Sequence, residues 1–181
     1  ADRSKWRTSE DARPSGPTGA LIGPNAILQL LPQIERAFGE ARAVQLLAKA
    51  HVFDVPDGSQ MIPEGDAARL HQMLRRDEPA MAPILASEAG RATADYILAH
   101  RIPKFAQRVL QALPSPLAAR SLSKAITKHA WTFAGSGAFV AHGPWRFEIA
   151  DNPIVLGETS DVPLCHWHAA VFQHLYRTLV H

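Results

Sequence analysis

From Pro24 onward, apolar residues recur at helical spacing: Ile27, Leu30, Leu31, Ile34 and Phe38 fall three and four apart until Gly39 interrupts them. The pattern predicts one helix up to that glycine. A second is predicted over roughly 40–51, carrying Val44, Leu46 and Leu47. Val55-Pro56-Asp57-Gly58 is turn chemistry, and Pro63 precedes a third helix from about Asp66 to Arg76 bearing Leu70, Met73 and Leu74. A long helix follows from Pro79 to about Arg101, opened by a proline in its first turn and closed before Pro103. Its small residues, Ala82, Ala86, Ala89, Gly90, Thr93 and Ala94, let another backbone or a flat ligand come close. Helix packing is the commoner use of such a stripe. Two more helices are predicted at 104–112 and 115–130, divided by Leu113-Pro114-Ser115-Pro116.

The period then changes. Trp131-Thr132-Phe133, Ala138-Phe139-Val140 and the segment from Trp145 to Ile149 are aromatic and β-branched, broken by Gly135, Gly137 and His142-Gly143-Pro144. They predict strands and a hairpin. From about Leu164 to Val180 a closing helix places Cys165, His168, Phe172, Leu175, Tyr176 and Leu179 on one face. Helices followed by a hairpin mean α+β rather than an alternating α/β sheet. Residues 1–20 hold seven charges and only Trp6 as a large apolar side chain, so they predict a mobile N-terminal tail before a single domain over 21–181.

With 46% hydrophobic and 20% charged residues in 181, the chain has the composition of a folded globular domain. Its 19 basic and 17 acidic residues include no run of five or six like charges, which leaves nucleic acid without an electrostatic footprint. The single cysteine, Cys165, excludes an internal disulfide and a four-cysteine iron–sulfur cluster built by this chain alone, and suits a reducing cytoplasm. No stretch approaches the length of an apolar membrane span, so at most peripheral membrane contact is expected.

Three segments invite a chemical reading. Gly135-Ser136-Gly137 resembles the start of a dinucleotide loop, but Val140 stands at the third glycine position and no helix follows to hold a pyrophosphate. A bulge or a close backbone approach is the better reading. Ser121-Leu122-Ser123-Lys124 matches a serine acyl-enzyme pattern without that class's companion motifs. Cys165-His166-Trp167-His168 concentrates three metal-ligating side chains, with Cys165 and His168 expected together on the apolar face. There His168 is a candidate single axial ligand for a magnesium whose macrocycle already supplies four nitrogens. The alternative is a hydrogen-bonded core histidine, and a zinc site is weaker still for want of ligands.

Ala130-Trp131-Thr132-Phe133-Ala134-Gly135-Ser136-Gly137, Asp151-Asn152-Pro153, Gly157-Glu158 and Cys165-His166-Trp167-His168-Ala169-Ala170-Val171-Phe172 together resemble the BchJ family of bacteriochlorophyll biosynthesis. That family carries the vinyl-reductase-type (4-vinyl reductase) domain, related in fold to TRAPP subunits. The likeness covers about residues 20–181. It implies helices packed on a small antiparallel sheet, a homodimer, and a final hairpin beyond the closing helix that a sequence ending at His181 does not include. It also implies a tetrapyrrole pigment intermediate as ligand and pathway enzymes as partners, in the cytoplasm and at most peripheral to photosynthetic membranes. The residues themselves show no nicotinamide, flavin or iron–sulfur motif, so no intrinsic cofactor is expected. The residues expected at the ligand are His168, Cys165, Trp167, Phe172, Trp131, Phe133, Gly135 and Gly137. Three functions compete: a carrier that binds and presents a magnesium porphyrin, protochlorophyllide or chlorophyllide; an 8-vinyl (4-vinyl) reductase drawing on an external reductant; and a non-catalytic dimerisation or scaffold module.

Overall fold

A computed structural model of the chain describes residues 19–180. The first predicted helix is divided into α1 (Asn25–Leu28) and α2 (Leu31–Phe38). Pro32 lies in the first turn of α2 and has no N–H to offer the Leu28 carbonyl, so a continuous helix breaks there. The apolar face survives the break, because Ile27, Leu30, Leu31 and Ile34 are all buried. Gly39, at φ 86°, turns the chain into α3 (Glu40–Lys49). After a loop come α4 (Glu64–Asp77), α5 (Ala82–His100), α6 (Lys104–Ala112) and α7 (Ser115–Lys128), within a few residues of their predicted bounds.

Trp131-Thr132-Phe133 is not a strand. It belongs to a single helical turn, α8 (Trp131–Ala134), which continues directly from the end of α7. So short a helix leaves its carbonyls free of intrahelical partners. Other donors take two of them: Gly23 N–H, distant in the chain, donates to Thr132 O at 2.6 Å, and Gly137 N–H, in the turn that follows, donates to Ala134 O at 2.9 Å. Strand propensity yields here to tertiary context, in which the long-range bond from Gly23 is made to the helical turn.

The fold is α+β, with helices packed alongside two small antiparallel ladders. In one, β1 (Leu21–Ile22) pairs with β2 (Ile62–Pro63). In the other, β3 (Ala138–Ala141) pairs with β4 (Phe147–Ala150) in the register Phe139↔Ile149 and Ala141↔Phe147. The tail predicted over 1–20 lies outside the described residues apart from Gly19 and Ala20. The Ala20 carbonyl accepts a 2.9 Å bond from Glu64 N–H.

The core centres on α5 and the closing helix α9 (His166–Leu179), not on a sheet. The small stripe of α5 is buried, and a Cβ placed on Gly90 would fall 2.4 Å from the Trp167 carbonyl oxygen and 2.7 Å from Ala170 Cβ. The stripe therefore serves helix packing. Trp167, only 2% exposed, donates its Nε1–H to Thr93 Oγ1 at 3.1 Å, and Thr93 donates onward to the Ala89 carbonyl at 2.8 Å.

Candidate functional site

Strand alternation places Phe139 and Phe147 on one face of the β3–β4 hairpin. Helical spacing places Phe172 and Tyr176 one turn apart on α9. Phe133 of α8 completes the group. Phe172 meets Phe133 at 5.2 Å between ring centroids, Phe147 at 5.3 Å and Phe139 at 6.1 Å, mostly edge to face. Tyr176 continues the cluster to Trp145 at 5.5 Å, and Trp145 is 62% exposed. The rings in the middle are half-buried, so the cluster is a partly open aromatic face. The Tyr176 hydroxyl donates to Pro144 O at 2.5 Å and also reaches Ala119 O, tying the hairpin turn to α9 and α7. Burial pushes that phenol up to about 12.

Beneath this face lies His168, 3% exposed. Its Nε2–H donates to the Phe133 carbonyl at 2.8 Å. Burial holds the imidazole neutral by pushing its pKa down to about 4, so Nδ1 is a bare acceptor that faces Asn152 Nδ2 at 3.4 Å. The Asn152 amide is oriented by Ile154 N–H, which donates to its Oδ1 at 3.1 Å. Both ring nitrogens are thus engaged, and an axial bond from His168 to a magnesium would require breaking one of these contacts. A second buried histidine, His71, also packs against Trp167, at 5.8 Å between ring centroids, and donates Nε2–H to Ala26 O at 2.9 Å. Desolvation pushes it down to about 3.

The Gly135-Ser136-Gly137 turn holds an anion, but one supplied by the protein. Glu64, at the start of α4, accepts from Ser136 N–H at 2.7 Å and from Ser136 Oγ–H at 2.6 Å. Gly135 has φ 57°, and a Cβ there would lie 2.3 Å from the Glu64 carboxylate. At Gly137 a Cβ would meet the Ala134 and Ala150 carbonyls at 2.9 and 3.0 Å. These glycines permit close approach, as expected, and the donors a phosphate would use already hold a carboxylate.

Of the eight residues expected at the ligand, the structure brings Phe133 and Phe172 into direct ring contact, with His168 beneath Phe133 at 6.3 Å. Trp167 points into the α5 seam. Cys165 does not share the apolar face of His168: α9 begins at His166, leaving Cys165 exposed at the N-cap position outside the helical repeat. Trp131 is 36% exposed and makes no ring contact among the described residues. Sequence reasoning missed Phe139, Phe147, Trp145 and Asn152. Alternation in the hairpin carries the signal for the two phenylalanines; Asn152 stands in the Asp151-Asn152-Pro153 segment of the family resemblance, but nothing local gives it a partner. Among the described residues no group of three or more His, Cys, Asp or Glu is placed to hold a metal ion, and no helix is long and apolar enough to cross a membrane.

Fold and cluster together define a small α+β domain with a half-open aromatic face. No protein-family model matches the sequence, and no solved structure matches it. The bacteriochlorophyll synthase 23 kDa chain of Cereibacter sphaeroides is 54% identical over 177 residues, covering 96% of this chain and 86% of that protein. The protein of the same name from Rhodobacter capsulatus is 47% identical over 161 residues, covering 88% and 75%. The chain belongs to this family of bacteriochlorophyll synthase 23 kDa chains, among the proteins of bacteriochlorophyll biosynthesis.

Proposed function

We propose that the chain is an accessory protein that binds a tetrapyrrole intermediate of bacteriochlorophyll biosynthesis and presents it to pathway enzymes. The observation that carries this reading is the partly open aromatic face of Phe133, Phe139, Phe147, Phe172 and Tyr176, ending at the exposed Trp145. Edge-to-face rings and an exposed indole favour a flat apolar macrocycle laid against them. Arg146, next to Trp145 and exposed, supplies a cation for a pigment carboxylate. The pocket of about 370 Å³ between the 54–63 loop and α4 is less suited, because its rim carries Asp54, Asp57 and Asp66, which repel that carboxylate. Since both His168 nitrogens are in use, apolar contact dominates and magnesium contributes little.

Titration with protochlorophyllide and with magnesium protoporphyrin tests this. Binding shifts the Soret band and quenches tryptophan fluorescence, with a dissociation constant below roughly 1 μM, or about −8 kcal/mol. Trp145→Ala and Phe172→Ala weaken it. If neither pigment binds in that range, the reading fails. A second reading, an assembly module whose cluster is filled by its own side chains, is favoured by the mutual ring contacts of 5.2–5.6 Å among Phe133, Phe139, Phe147 and Phe172. It predicts a stable complex with a pathway enzyme in gel filtration, formed without pigment.

A further inference from the structure

Between Tyr96 and Phe147 the chain contains no Asp or Glu, yet it holds seven cations: Arg101, Lys104, Arg108, Arg120, Lys124, Lys128 and Arg146. The rest of the chain carries all 17 acidic residues against the remaining 12 basic ones, so a net charge of only +2 hides a strong segregation. The basic residues are spread over several helical turns, which is why no run of like charge marks them. Six of the seven lie on or beside α6 and α7, two helices separated by Leu113 and Pro114 alone.

These helices also turn apolar side chains outward. On α6, Phe105 is 78% exposed and Val109 42%, while the buried residue is the polar Gln107, whose amide donates to the Leu98 and Ile102 carbonyls. Of the large apolar residues of α6 only Leu110 packs against the core, so much of its apolar surface is turned away from it. On α7, Ala118, Ala119, Leu122, Ser123 and Ile126 face inward. The opposite face carries Leu117, 50% exposed, with Arg120 and Lys124 at helical spacing beside it. Lys104, Arg108, Arg120 and Lys124 have no ion-pair partner among the described residues.

We infer that α6 and α7 form a docking face for an anionic lipid bilayer, with Phe105, Val109 and Leu117 inserted at the headgroup boundary and the surrounding lysines and arginines held by lipid phosphates. Exposed phenylalanine and leucine among cations suit an interface that is apolar below and anionic above. A nucleic acid would use the cations but leave the three apolar side chains in water. The inference is independent of pigment binding. The Tyr176 hydroxyl joins the α7 backbone at Ala119 to the hairpin turn at Pro144, so the inward side of α7 meets the aromatic cluster and its outward side is left for the bilayer.

The test is sedimentation of the pigment-free full chain with vesicles of phosphatidylcholine alone or with phosphatidylglycerol added in equal proportion. The wild type binds the anionic vesicles, is released by rising salt, and ignores the neutral ones. Each of K104E, R108E and K124E lowers the partition coefficient about fivefold or more, in line with roughly 1 kcal/mol per cation near a charged surface. The triple variant F105S/V109S/L117S lowers it further at unchanged charge. Both sets touch only exposed positions, and circular dichroism checks that each stays folded. No binding to anionic vesicles overturns the inference. So does binding indifferent to salt, or a triple serine variant that binds like wild type. A wild type that is dimeric in ultracentrifugation and becomes monomeric only in the triple variant reassigns the face to a second copy of the chain and equally overturns it.

Discussion

Gly90→Ala adds one methyl group at the closest approach of α5 to α9. The new Cβ would sit 2.4 Å from the Trp167 carbonyl oxygen, 2.7 Å from Ala170 Cβ and 3.2 Å from Val171 N. Two of these three are backbone atoms, so no side-chain rotation relieves the overlap. The helices must part by most of an ångström, which also stretches the Trp167–Thr93 hydrogen bond of 3.1 Å. Overpacking of this kind costs about 1–3 kcal/mol and occasionally more. Against it stands about 1 kcal/mol gained when alanine replaces glycine inside a helix. The overlap is with backbone and so lies at the upper end, giving a net loss of about 2 kcal/mol. For a domain of this size that lowers Tm by roughly 4–8 °C. Urea denaturation followed at 222 nm should show a lower midpoint with unchanged slope. Gly65→Ala is the milder comparison: its Cβ would meet a single atom, Arg69 Nη1 at 3.1 Å, at the end of a long side chain that is bonded to Ala50 O and Asp66, and the variant should lose much less than Gly90→Ala. If Gly90→Ala matched or exceeded the wild type, the close α5–α9 seam would be refuted as the reason for the small-residue stripe.

Acid should destabilise the fold well before its carboxylates protonate. His71 and His168 have pKa values pushed down to about 3 and about 4, against an unfolded value of about 6.5. Between these values the unfolded chain binds more protons, so stability is full above about pH 6.5 and falls as pH drops. The two groups together cost on the order of 4 kcal/mol between pH 6 and 4, measurable by urea titration at each pH; a flat profile sinks the argument. His168→Ala should lose about 1–3 kcal/mol by stranding the Phe133 carbonyl and Asn152, and should weaken magnesium and metal-free pigment equally. Selective loss of the metallated pigment would restore the axial-ligand role. Gly135→Ala should cost about 1–3 kcal/mol, because φ 57° and the Glu64 carboxylate both oppose a Cβ, and Glu64→Ala in the same chain should recover part of that loss.

Helical periodicity makes α3, α4, α5, α7 and α9 legible because each repeats a buried face in its own sequence. The helix α6 is legible from its bounding prolines and spacing although its apolar residues are largely exposed, and alternation of half-buried rings marks the β3–β4 hairpin. Pro32 and Trp131–Ala134 were misread for different reasons. The proline breaks a helix whose apolar pattern runs on regardless, whereas the aromatic turn takes its shape in part from Gly23 and His168, which lie far away in the chain. The same non-locality explains the site. Spacing linked Cys165 to His168 only on the assumption that the helix had already begun. No local pattern could show that Glu64 would fill the Gly-Ser-Gly turn or that Asn152 would meet His168, since 72 and 16 residues separate those pairs.

Among the described residues the β3–β4 ladder has no third strand. A two-stranded hairpin alone is marginal in water, so this one depends on the side chains under it and on the bonds at its ends. Its amides should exchange with deuterated solvent through local opening, far below the free energy that unfolds α5 and α9. The phenylalanine rings are then the first large apolar surface the molecule uncovers in partial unfolding. The hairpin residues set how often that happens, and with it how readily the chain aggregates while the helical core is still intact.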